Sequence, residues 1–125
     1  MSESHSKEIR SKVTSEGNIE LSITQAELPI PSADEVLIKV EAAPINPSDL
    51  GLLLSFAADL SSITTSGSED ETVTSMKIHP ALMGSMKPRL DQSMQAGNEG
   101  AGVIVDAGEN VKEFIGKTVG LAGGA

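Results

Sequence analysis

The chain has 125 residues, enough for one hydrophobic core. It carries a net charge of −9, with two Phe, no Tyr, no Trp and no Cys. These numbers exclude disulfides, leave little for base stacking, and oppose binding to nucleic acid or to an anionic membrane surface.

No apolar run is long enough for a membrane span, and the polar N-terminus Met1-Ser2-Glu3-Ser4-His5-Ser6 has no secretory signal pattern. The expectations are a cytoplasmic protein and a frayed tail over residues 1–6.

Lys7 to Val13 and Ile19 to Ile23 read as two strands, and Ser15-Glu16-Gly17-Asn18 supplies a hairpin turn between them. Leu28-Pro29-Ile30-Pro31 is an extended connector, because two prolines bar a central strand. Glu35 to Ala42 is the clearest strand; Val36, Ile38 and Val40 share one face, which is expected to be buried.

Asn46-Pro47-Ser48-Asp49 then reads as a helix start. Asn46 is the N-cap, Pro47 gives up only an N–H that would be unpaired, and Asp49 meets the positive end of the helix dipole. The apolar run Leu50 to Leu60 is expected to continue that helix, with Gly51 and Ser55 as small breaks.

Ser61 to Thr74, rich in Ser, Thr and acidic residues, reads as a solvated loop or insertion. His79-Pro80 opens another helical stretch, with Met83, Met86, Leu90 and Met94 at helical spacing and Pro88 dividing it in two. The methionine stripe reads as core, with the lining of an apolar pocket as the alternative. Gly100 to Asp106 returns to strand, Ala107-Gly108-Glu109-Asn110 turns, and Val111 to Ile115 leads to Gly116-Lys117-Thr118-Val119. Gly100, Gly102 and Gly108 are read as backbone requirements, for close strand packing and a turn with positive φ. Short strands separated by Gly, Pro and Asn turns predict a mainly β fold with short helices, arranged as a partly open β-barrel.

Two motifs point to a family. Gly97-Asn98-Glu99-Gly100-Ala101-Gly102-Val103-Ile104-Val105-Asp106-Ala107-Gly108 resembles the G-H-E-x-x-G-x-V-x-x-x-G signature of medium-chain dehydrogenases/reductases. Ala42-Ala43-Pro44-Ile45-Asn46-Pro47-Ser48-Asp49 is similar to the family segment that carries a Cys three residues before an Asp. Asn98 and Asn46 stand where zinc-dependent members have His and Cys. The pattern resembles the zinc-independent quinone oxidoreductase and enone reductase branch. It covers about Val36 to Val119 and departs from the family at residues 61–95 and at Lys117, where an Asp is usual.

The resemblance implies a GroES-like domain over 7–125, truncated before a C-terminal nucleotide-binding domain, and a metal-free hydride transfer from NADPH or NADH to a quinone or an α,β-unsaturated carbonyl. It implies no zinc, and a possible homodimer when intact. The cofactor would be held mainly by the absent domain, so this fragment alone is expected to be inactive.

Asn46 would lie at the nicotinamide end as a cofactor-binding residue, and the same residue is explained as a helix cap. Asp49, Asn98 and Glu99 are structural or supporting candidates. Asp49 would bond the Asn98 carboxamide or the N–H groups at the helix start. Glu99 would titrate unusually if desolvated, or pair with an Arg. No catalytic residue is assigned. A stand-alone GroES-like binding module without redox activity and an inactive fragment remain the alternatives. His5 and His79 are read as solvated.

Overall fold

The computed structural model describes residues 5–55 and 57–123. Among these the chain is mainly β. The strands are β1 (His5–Val13), β2 (Asn18–Glu27), β3 (Val36–Ala42), β4 (Ala58–Ser66), β5 (Val73–Ile78), β6 (Ser93–Gln95), β7 (Glu99–Ala107) and β8 (Thr118–Ala122), with one α-helix, α1 (Pro47–Leu53). The strands form a five-stranded sheet in the order β4-β5-β2-β1-β6 and a three-stranded sheet in the order β3-β7-β8. Neither closes on itself, as expected for a partly open architecture. No described helix is long and apolar enough to cross a membrane.

The contacts divide the chain into two compact units, Met1–Ala26 with Asn46–Ala96, and Glu27–Ile45 with Gly97–Ala125. The first holds the five-stranded sheet and α1. Its core is Val13, Ile19, Ala57, Met76 and Ile78, each at most 4% exposed. Ile19 and Met76 are register partners between β2 and β5 and are both fully buried. Met83, Met86 and Leu90 pack against this cluster. That favours the core reading of the methionine stripe, because a flexible thioether fills irregular gaps well. Met94 leaves the stripe and belongs to β6.

The β1–β2 turn lies where the sequence put it. The Thr14 N–H donates to the Asn18 carbonyl at 2.8 Å, and Gly17 takes a φ of +91°. β1 begins at His5, so it takes in the last two residues of the expected tail; the others lie outside the described residues.

Three expectations are corrected. The helix expected to run to Leu60 stops at Leu53. Ser55 adopts a φ of +57°, which a helix cannot propagate, and Ala58 to Leu60 enter β4. The stretch expected as a loop over 61–74 is largely a hairpin of β4 and β5. Its β-branched Ile63, Thr64 and Thr65 favour strand despite their polar neighbours. Between Asp59 and Thr64 the pairing is irregular, and side chains replace the ladder there. Asp59 Oδ1 accepts from the Ser61 N–H and Oγ–H, and Ser62 Oγ accepts from the Lys77 N–H at 2.7 Å. Finally, Pro80 to Arg89 is one 3₁₀ stretch that contains Pro88, not two helical pieces. The tighter i+3 pattern tolerates the missing N–H near its end.

In the second unit β7 is central, paired to β3 on one side and β8 on the other. Ile104 and Ala107 are its buried apolar side chains. The expected buried face of β3 is only partly formed. Val36 and Ile38 are half-buried, but Val40 is 44% exposed, and register shifts between Leu37 and Ile38 and between Val40 and Ala42 disturb the alternation.

The glycines of the β7 motif act by closeness. A Cβ at Gly102 would overlap the Lys39 carbonyl, and one at Gly108 would overlap the Ser32 carbonyl. None of Gly100, Gly102 and Gly108 has a positive φ; in this unit it falls on Gly97, Gly116 and Gly123, so the turn role expected of the motif's later glycines is not met there.

Candidate functional site

Asn46 is the N-cap of α1, with the extended backbone such a position needs, and Pro47 is the first helical residue. Asn46 and Asp49 form a capping box. The Asn46 N–H donates to Asp49 Oδ2 at 2.7 Å, and the Asn46 side chain turns to the Asp49 N–H, which also donates to the Asn46 carbonyl at 3.0 Å. Asp49 is 5% exposed. Of its two expected partners, the N–H groups at the helix start are therefore among those it serves. Asn46 itself is half-buried, while Pro47, Ser48 and Leu50 on the same turn are exposed.

The other end of α1 is held by residues that sequence reasoning did not single out. The Leu52 carbonyl accepts from Arg89 Nη2 at 2.9 Å and from Ser11 Oγ at 3.1 Å. Arg89 Nη2 also donates to Ser11 Oγ at 3.1 Å, and Ser11 is fully buried in β1. A cation on the last carbonyls of a helix complements its dipole. Burial pushes the Arg89 guanidinium below its ordinary value, and its buried Nε has no hydrogen-bond partner among the described residues. An Arg following a Pro in an apolar stripe carries no signal that would have revealed this role, because its partners come from β1 and α1.

Between these ends lies Gly51. It is one of seven residues in α1, its φ is not positive, and a Cβ there would meet nothing within 4 Å. A glycine inside a helix costs about 1 kcal/mol relative to alanine. Neither the backbone nor the packing of this unit calls for it.

Asn98 and Glu99 lie in the other unit. Glu99 opens β7 opposite Ala122, and the Asn98 carbonyl accepts from the Gly123 N–H. Glu99 is exposed, not buried. Two shallow hollows, one lined by Pro29, Ile30, Pro31, Glu35, Val36 and Leu37 and one by Gln25 and residues 68–71, contain none of the four candidates.

A family model, the alcohol dehydrogenase GroES-like domain, matches residues 32–123, a span that contains β3, α1 and β7 with both asparagine motifs. The chain belongs to the alcohol dehydrogenase GroES-like domain family. No curated protein matches it. The family ties the chain to medium-chain dehydrogenase-like proteins, for which a nicotinamide cofactor is the corresponding expectation.

Zinc-dependent members of this family draw ligands from the Asn46 and Asn98 positions. A carboxamide is a weak zinc donor beside thiolate or imidazole. The sequence has no Cys, and among the described residues no group of three or more His, Cys, Asp or Glu could hold a metal ion. Among the described residues, the side chains of Asn46 and Asn98 do not fit a zinc ion.

Proposed function

We propose that this GroES-like domain is the substrate-side domain of an NAD(P)H-dependent oxidoreductase that reduces quinones or α,β-unsaturated carbonyls without a metal. The observation that carries the reading is Asn46. Its motif resembles the family segment that carries a ligand there, its side chain does not suit zinc, and the capping box with Asp49 fixes its backbone.

When bound, the reduced nicotinamide supplies the hydride. Asn46 would hold its ribose and carboxamide edge, since one amide offers both an acceptor and two donors. With no Lewis acid to polarise the acceptor, rate acceleration falls to orientation and to hydrogen bonds placed by the protein. The nucleotide's pyrophosphate would be gripped by a separate nucleotide-binding domain.

The test is NADPH oxidation with a simple quinone by the protein that carries this domain, comparing wild type with Asn46→Asp. Aspartate caps a helix as well as asparagine but cannot donate a hydrogen bond when ionised. We expect an unchanged Tm and a loss of kcat/KM of tenfold or more. Wild-type turnover by Asn46→Asp would remove Asn46 from the cofactor site.

A further inference from the structure

β3 is an outer strand of its three-stranded sheet: β7 takes one side of it, and among the described residues no strand takes the other. Its second half, Lys39 to Ala42, is exposed. Lys39 and Glu41 flank Val40, and neither side chain has a hydrogen-bond or ion-pair partner among the described residues. Val40 pairs with Gly102 and Ala42 with Ala101, so Glu41 is an extra residue that β7 does not match. A sheet edge with free N–H and C=O groups is a template for another strand.

We propose that this edge pairs with β3 of a second copy, antiparallel, around a two-fold axis at Val40. Opposite residues of an antiparallel pair point to the same face, so a two-fold axis has to set one residue against itself. Charge then selects which one. An axis at Lys39 or at Glu41 sets like charges against each other, and an axis at Ile38 sets Glu41 against the partner's Glu35; all three are unfavourable. An axis at Val40 sets Lys39 against the partner's Glu41, twice by symmetry, and covers Val40, which is 44% exposed, with the partner's Val40. Ile38 then faces the partner's Ala42. The same register carries the partner's Ile45, a residue 78% exposed, toward the hollow that Pro29, Ile30, Val36 and Leu37 line at the start of β3. The outer edge of β8 has no charged residue, so nothing there fixes a register in this way.

The experiment is sedimentation velocity of the full chain over about 5 to 500 μM, a range suited to a small interface. We expect a dimer fraction that rises with concentration. Lys39→Glu and Glu41→Lys should each weaken the dimer at least tenfold, and the double reversal should restore it to within threefold of wild type. The single reversals move the net charge in opposite directions and the double leaves it unchanged, so general repulsion cannot imitate this pattern. The chain has no Cys, so a disulfide reads the register directly. Under mild oxidation Val40→Cys should cross-link two chains, whereas Ala42→Cys, displaced from the axis, should not. Far-UV circular dichroism of every variant should match wild type, because all the substituted residues are exposed. A monomer at all concentrations would mean that Lys39 and the bulge shield the edge, and would overturn the proposal. A dimer that survives both single reversals, a double reversal that fails to restore it, or equal cross-linking at 40 and 42 would overturn it as well.

Discussion

Arg89 Nη2 donates to the Leu52 carbonyl at 2.9 Å, so a residue of the 3₁₀ stretch closes the C-terminal end of the helix that begins at Asn46. Ser11 Oγ donates to the same carbonyl and accepts from the same guanidinium. Three segments distant in sequence meet at one oxygen in the last turn of α1.

Removing the cation should therefore loosen the helix. Arg89→Met keeps much of the apolar stem and deletes the charged hydrogen bonds. We expect a loss of about 2 kcal/mol, read from urea unfolding, with Ser11→Ala costing about 1 kcal/mol. Because both act on one carbonyl, the double variant should lose less than the sum.

The capping box makes a second prediction. Asp49→Ala removes the acceptor of the Asn46 N–H inside a 5% exposed site. It should cost about 1–2 kcal/mol. The same variant should increase hydrogen exchange at the Asn46 and Leu50 amides while leaving the β3–β7 ladder unchanged.

Glycine positions should separate sharply. Gly108→Ala places a Cβ onto the Ser32 carbonyl, and Gly102→Ala places one onto the Lys39 carbonyl. Each should destabilise by about 3 kcal/mol or more, since the obstacle is backbone and a rigid neighbour cannot move aside cheaply. At Gly120 the nearest atom to an added Cβ is 3.9 Å away, so Gly120→Ala should shift Tm by little. Thermal unfolding of the three variants side by side decides the matter.

Asp59 offers a pH test. Its Oδ1 accepts from Ser61 Oγ–H at 2.6 Å and from the Ser61 N–H at 3.0 Å, and these bonds hold the carboxyl below the usual Asp value. A folded-state pKa below the unfolded one means that the contribution is present above the unfolded value, near pH 4. It is lost as pH falls through the folded value. In an NMR titration Asp59 should titrate below an ordinary Asp, and Ser61→Ala should return it toward that value. Asp59 is half-buried and its carboxylate is screened by solvent, so the Tm at neutral pH should respond little.

Much of this protein was legible in the chain itself. The β1–β2 hairpin, the extended Pro29-Ile30-Pro31 connector, the start of α1 at Asn46 and the strand through Val103 to Val105 all follow from local chemistry: turn residues, a fixed proline φ, a capping side chain, β-branching. The family was legible too, because its motifs are runs of glycines and polar residues close together in sequence.

The tertiary structure decided what depends on distant partners. The run from Leu50 to Leu60 is apolar enough for one helix, yet Ser55 turns and Ala58 to Leu60 enter β4. Ser61 to Ser66 look like solvated loop until Thr64 to Ser66 pair with β5. Arg89 acquires its role only when β1 and α1 arrive beside it. Caps and turns draw their free energy from neighbours a few residues away, so sequence by itself specifies them. Strand pairing and the role of Arg89 are settled by groups far apart in sequence, and only the folded chain brings those together.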